Sequence, residues 1–257
     1  KVGISIFGVL LAVLARPQFT QNQLAEVWSR INREIQSPIP TAKTGMAGST
    51  FSVSRLIEIT RIGRRFGLEV DVQSDTVTAP VTNSLEIKIN GRRVRSTPLY
   101  PNLSATNSCD VQGKAVSFNS RSMKDRRSVA GNVAIMPFDC GTEWTKAFEH
   151  GAKAVLFIAP QNVGRVEAEA KLLSVPAHLP RFLLDRDTEV DSLYGQPTIE
   201  IRCRQNWEKR PTKRVHILVA GSDPTLSSER VVVFTTVDGM SISPDWGTSD
   251  EHSLSSA

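Results

Sequence analysis

The sequence predicts an α/β protein: a mixed sheet with helices, turning β-rich with short strands and many turns from about Pro98. Three observations predict it. Gly131 to Pro160 reads as strand, helix, strand, with Gly151 placed to end the helix. Further upstream, Gln21–Gln36 and about Ser52–Phe66 carry apolar residues at helical spacing. Near the carboxyl end, Val231–Thr235 is an apolar run without a charge, as expected of a strand buried on both faces, and acidic residues follow it at Asp238 and Asp250-Glu251. The carboxyl end of such a strand is where open α/β sheets bind ligands, so those carboxylates belong either to a metal site, intact or ruined, or to an ordinary loop.

The 257 residues suffice for one large or two modest domains, and 40% hydrophobic with 22% charged residues is a globular composition. Net charge is +5, spread over Arg64-Arg65, Arg92-Arg93-Arg95, Lys124-Arg126-Arg127 and Lys209-Arg210 with Lys213-Arg214. None of these groups is interleaved with aromatics, which make up only 6% of the chain, so no nucleic-acid partner is expected. Lys1, the apolar run Ile4–Ala15 and the small residue before Arg16-Pro17 have the layout of a secretory signal peptide over residues 1–15. The run is shorter than the roughly 20 residues a membrane span requires. Export to a periplasm, cell envelope or medium is therefore expected, with no stable membrane span unless the signal is retained. The first residue is not Met, which leads us to expect an incomplete amino end. Cys109, Cys140 and Cys203 form neither a disulfide framework nor a CxxC motif. After export one pair could bridge and leave one thiol free, and spacing does not choose the pair. Asn102-Leu103-Ser104 fits the glycosylation acceptor pattern of a eukaryotic host.

Taken in order, Leu24, Val27, Trp28, Ile31 and Ile35 stripe the first helix, which Ser37-Pro38-Ile39-Pro40 ends. Val53, Leu56, Ile57 and Thr60 are expected to line the second, with Arg64 and Arg65 in its last turn and Gly67 as its cap. Leu68–Val72 reads as a strand, and Leu85–Ile89, Asn90-Gly91 and Arg92–Arg95 as a hairpin. Beyond Pro98 come strands at Val133–Phe138, Ala154–Ile158, Leu179–Leu184 and Thr198–Arg202. Thr142–His150 is a short helix facing Trp144, Ala147 and Phe148 inward, and Glu167–Leu173 is either a helix or a mobile loop. Lys209–Lys213 reads as a charged hinge, Val215–Ala220 as a strand, and Gly221-Ser222-Asp223-Pro224 as a turn.

HExxH, GxSxG, Walker and GxGxxG signatures are absent. Cys140-Gly141-Thr142-Glu143-Trp144 bears a weak likeness to the nucleophile segment of papain-like proteases, but the second Cys is replaced by Glu143 and a structural cysteine is the better reading. The unit GNVAIMPFDCGTEWTKAFEHGAKAVLFIAP, with its helical Lys146-Ala147 and the Gly-Ala-Lys-Ala turn, resembles the protease-associated domain, and LPRFLL suits that family's next strand. The resemblance covers roughly residues 98–204 and implies a domain that narrows access to a peptidase site or holds substrate, without chemistry of its own.

VHILVAGSDPTLSSERVVVFTTVDG, with the Gly221–Pro224 turn, resembles the opening of the di-zinc aminopeptidase and glutamate carboxypeptidase family of metallopeptidases. The resemblance implies a zinc-exopeptidase-like fold whose first elements lie in 16–97 and to which the chain returns at 205–257. It also implies two zinc ions and a peptide substrate. A co-catalytic zinc pair needs imidazole and carboxylate ligands and an open position for an activated water. By resemblance Asp250 would bridge the metals, and Asp238 would be the carboxylate that orients a ligand or base. Thr236 stands where the family has its first histidine ligand, and Glu251 where an Asn is expected. A threonine hydroxyl is a poor zinc ligand, so the expectation is an aminopeptidase-like protein with a degraded first metal motif. His252 is either a substitute ligand or an exposed loop residue. The family's remaining ligands, a Glu-Glu pair, another acid and a late histidine, do not appear before Ala257, so a fragment is expected. The alternative is a non-enzymatic peptide- or partner-binding protein that uses the protease-associated domain.

Overall fold

The computed structural model describes residues 48–159, 165–185 and 195–219, with Ser29, Leu193, 224–226, Glu229, Val232 and 242–244. The signal segment, and the first helix apart from a helical, exposed Ser29, lie outside the described residues.

Helix α1 (Thr50–Arg65) begins where Ser49 Oγ accepts the Ser52 N–H at 3.2 Å, satisfying an N-terminal donor that the helix itself cannot pair. It ends at Gly67, whose φ of 72° permits the bonds Gly67 N to Arg64 O and Leu68 N to Gly63 O. Its buried face runs through Ser52, Leu56 and Gly63. Ile57, expected on that face, is 53% exposed, because it sits one step of about 100° round the helix from Leu56.

The sheet contains β1 (Glu69–Ile89), β2 (Arg92–Val94), β3 (Ser96–Pro98), β4 (Cys109–Ser117), β5 (Val133–Pro137), β6 (Ala154–Ile158), β7 (Arg181–Leu184) and β8 (Thr198–Leu218). Its order is β2-β1-β8-β4-β5-β6-β7-β3. β4 to β7 are mutually parallel and joined by α2 (Met123–Ser128), α3 (Trp144–Glu149) and α4 (Arg165–Glu169), while the other neighbours run antiparallel. β2 and β3 stand at opposite ends of this order, yet only Arg95 separates them in sequence. The sheet therefore curls until its two ends approach.

That curl explains the two cores. Alternate residues point to opposite faces of a strand. Val133, Ile135, Ala154, Leu156, Phe182, Leu184, Ile199 and Ile201 fill one face with Ile87 and Ile89. The intervening Ala134, Met136, Val155, Phe157 and Leu183 pack on the other face against Trp144 and Ala147 of α3. Buried on both faces, β5, β6 and β7 read as continuous apolar runs.

The main departure from expectation is the ribbon of β1 and β8. The charged hinge at Lys209–Lys213 and the gap between two strands at 73–84 do not exist. Both segments are strand, paired from Ile89↔Ile199 out to Glu69↔Leu218 with one register shift between Thr82 and Ser84. β4 flanks β8 only over Thr198–Cys203, so beyond Cys203 the ribbon has two strands, with Ser108 Oγ bonded to the Gln205 backbone where β4 ends. Pro80 and Pro211 are tolerated there because a two-stranded ribbon leaves every second N–H without a ladder partner. Val232, the one described residue of the apolar run Val231–Thr235, departs from expectation: it is 83% exposed and in no regular element. Of the expected Gly221–Pro224 turn, Pro224 opens a short 3-10 turn with Thr225 and Leu226, and the rest lies outside the described residues.

Helix α1 docks on the ribbon through Gly63, where a Cβ would lie 2.9 Å from Val70 Cγ2 and 3.5 Å from Ile217 Cδ1. Gly63→Ala trades a helix-propensity gain of about 1 kcal/mol against that close contact and is expected to be near neutral. Gly63→Leu should cost about 1–3 kcal/mol by overpacking. It should also open the α1–β1 junction to limited proteolysis, and a Leu variant as protease-resistant as the parent would refute this packing.

Candidate functional site: a buried cationic node beneath the 99–107 loop

Thr236, Asp238, Asp250, Glu251 and His252 all lie outside the described residues. Among the described residues no group of three His, Cys, Asp or Glu side chains is placed to hold a metal ion, so the expected zinc ligands find no substitute there. The segment between the two acidic motifs is in part described. Ile242, four positions after Asp238, is fully buried in the core beside Trp144 and Leu99, and its carbonyl accepts the Tyr100 N–H.

Tyr100 opens a loop held from below by a buried cation. Arg181 is fully buried at the start of β7. Its Nη1 donates to Asn102 Oδ1 at 2.6 Å and its Nη2 to Tyr100 O at 2.6 Å. Its guanidinium carbon lies 4.7 Å from the centre of the Trp144 ring, whose negative face attracts it. Asn107, also buried, accepts the Arg181 N–H through Oδ1 at 3.1 Å and donates to Leu99 O. Its own N–H donates to Gln205 Oε1 at 3.1 Å. Burial pushes the Arg181 guanidinium down to about 9, which still leaves it cationic at neutral pH.

A second cation lies on the other side of the aromatic cluster. Lys171 Nζ is fully buried and donates to Gly141 O at 2.8 Å and Glu167 Oε2 at 3.2 Å. It stands 4.7 Å from the Phe138 ring centre and 5.5 Å from that of Phe157. Glu167 Oε2 accepts the Gly141 N–H at 2.9 Å, and Trp144 Nε1 donates to Ala170 O at 2.8 Å. These bonds tie the α4 segment to the turn before α3. Both cations therefore anchor loops to the sheet.

Cys140 stands in that same turn. Its thiol is pushed up, first by burial, with Lys171 opposing and Glu167 adding to the rise. An activated nucleophile needs the opposite direction, so the structural reading of the Cys140–Trp144 segment is the one the site supports. Asn102, the acceptor of the glycosylation pattern, is 2% exposed and its Nδ2 donates to Ala177 O at 2.8 Å, so the folded chain does not present it for modification. Sequence reasoning missed Arg181, Lys171 and Asn107. A signal was available for two of them: a lone Arg inside the apolar run LPRFLL, and Glu167 spaced four residues before Lys171.

No protein-family model and no curated protein matches the chain. Among solved structures it is similar to an aminopeptidase from Aneurinibacillus sp. strain AM-1, with 16% identity over 73% of this chain and 46% of that one and a TM-score of 0.44. It is also similar to BSAP, a zinc aminopeptidase from Bacillus subtilis, with 14% identity, 66% and 42% coverage and a TM-score of 0.47. A third likeness is to a Peptidase M28 precursor from Shewanella amazonensis SB2B, with 10% identity, 75% and 52% coverage and a TM-score of 0.46. The chain spans about half the length of these proteins or less. At this level the likenesses assign it no activity, metal or substrate. Among the described residues no helix is long and apolar enough to cross a membrane.

Proposed function

We propose that the chain belongs to an exported, aminopeptidase-like protein in which residues between the two strands of the ribbon form an accessory unit that guides or holds peptide. The acidic segment after Val231 is the remnant of its metal site. The observation that carries this reading is the docking of Ile242. It joins the segment between Asp238 and Asp250 to the 99–107 loop, and through Tyr100 to Arg181. The ribbon supports it as well, since β1 leads into the unit and β8 leads out of it side by side, as suits the two connections of an inserted unit. Asp250 would bridge zinc and Asp238 would orient a neighbouring group, with Thr236 as the defective ligand position. Bound zinc would supply an activated water.

The test is made on the full-length gene product, by zinc content per chain and by release of amino acid from an aminoacyl anilide. The parent should hold fewer than two zinc ions and hydrolyse slowly. Thr236→His should raise both readings, the rate by about tenfold for each 1.4 kcal/mol of transition-state stabilisation regained. Two tightly held zinc ions in the parent would refute the defect at Thr236. No zinc in either protein, with peptide still bound, would replace the enzyme reading with the binding module.

A further inference from the structure

The three cysteines, which spacing could not pair, are sorted by the sheet. Cys109 at the start of β4 and Cys203 in β8 are direct cross-strand partners. The Ala115 N–H bonds Pro197 O at 2.8 Å, and every second pair back from there, Cys109–Cys203 included, falls on the hydrogen-bonded positions of the ladder. Such partners stand about 5.5 Å apart at Cα, inside the range of about 4.4–6.8 Å that a disulfide spans. Both side chains leave the same face of the sheet, where Cys203 is buried in the core shared with Ile87 and Ile201 and Cys109 packs against that core. Arg204 Nη1 donates to Cys203 O at 2.9 Å and to Cys109 O at 3.2 Å, clamping the two backbones in this register. Cys140 packs on the opposite face of the sheet, against the Trp144 cluster, and cannot reach either of them.

We infer that Cys109 and Cys203 form a disulfide across β4 and β8 when the chain folds in the presence of a disulfide oxidant, leaving Cys140 as the free thiol. The inference does not depend on the peptidase reading. With oxidised glutathione as oxidant, one cysteine thiolate attacks a glutathione sulfur and expels a glutathione thiolate. The second cysteine then attacks the protein sulfur of that mixed disulfide and expels the other. Two thiol protons and two electrons leave the protein, and two reduced glutathiones form. Burial, reinforced by the Asp110 carboxylate, pushes the Cys109 thiol up to about 12. Exchange in the folded state is accordingly slow, and the bond is set during folding. It would close nearly the whole α/β unit into one covalent loop, with β4 and β8 stapled where the ribbon leaves the sheet.

The test is to refold the whole chain with a reduced and oxidised glutathione pair, alkylate it, digest it without reduction and map the peptides by mass spectrometry. One intramolecular bond should join the Cys109 and Cys203 peptides, with Cys140 alkylated. Cys140→Ser should leave the bond intact. The oxidised parent should unfold at a Tm on the order of 10 °C above the reduced one, as expected when a loop of roughly a hundred residues is closed, and the gap should vanish in Cys109→Ser. A bond that includes Cys140, or alkylation of both Cys109 and Cys203 after oxidative refolding, overturns the inference.

Discussion

Trp144→Ala should remove about 3–5 kcal/mol of stability, a loss comparable with the whole of a marginal domain's reserve of about 5–15 kcal/mol. Three features place the effect at the top of that range. The side chain is fully buried in the core on the α3 face of the sheet, where Phe148 and Phe157 meet it edge-on with ring centroids at 6.1 and 6.5 Å. Its indole N–H satisfies Ala170 O, so truncation also orphans a carbonyl in the turn after α4. Its ring face balances the buried Arg181 charge, and losing it leaves that guanidinium with less compensation for its desolvation. Trp144→Phe keeps most of the volume but not the indole donor and should lose about half as much. Urea unfolding followed by far-ultraviolet circular dichroism gives both numbers. An alanine variant within 1 kcal/mol of the parent would mean that α3 is not the keystone of this face.

The elements that sequence reasoning recovered are those whose signals are local. The apolar stripe and the terminal Gly67 announce α1, although the stripe starts only near Ser52 and leaves the Ser49 cap unannounced, and Asn90-Gly91 announces the hairpin because both residues must take positive φ, here 48° and 77°. The β5–α3–β6 unit follows from apolar runs separated by a helix that ends at Gly151. The ribbon was illegible for a physical reason. Where only two strands pair in water, both faces are partly wet, so Gln73–Asn83 and Lys209–Lys213 show neither the alternation of a half-buried strand nor the apolar run of a central one. Pairing partners about 140 positions apart, such as Ser74 and Lys213, supply what local composition withholds. The cationic node escaped for a related reason. A single Lys or Arg reads as solvated until the loops that cover it are in place, and those of Arg181 come from residues nearly eighty positions upstream. The carboxylates that drew attention in the sequence, Asp238 and Asp250, were picked out by motif alone, and between them only residues 242–244 have a described place in the fold.

Arg181→Ala should cost about 3–5 kcal/mol, and Arg181→Met distinctly less. The contrast between the two carries the information. Breaking a buried charged hydrogen-bond set leaves its partners unsatisfied, here Asn102 Oδ1 and Tyr100 O, whereas replacing a buried cation by an apolar chain of similar length also removes the desolvation of the charge itself. That desolvation is evident in the guanidinium's fall to about 9 and in Nε, which is buried with no hydrogen-bond partner among the described residues. Methionine would refill the space beside Trp144, while alanine would leave a cavity there. Both variants should release the 99–107 loop before the sheet unfolds. The Tyr100 amide, which donates to Ile242 O, should therefore lose hydrogen-exchange protection ahead of Val155 and Leu156 in β6. If the Met and Ala variants were equally destabilised, the cation itself would be essential and not merely its volume. If Tyr100 kept its protection in both, the chain from Arg181 through Tyr100 to Ile242 would not be the link between the accessory unit and the acidic segment, and the proposed function would lose its main support.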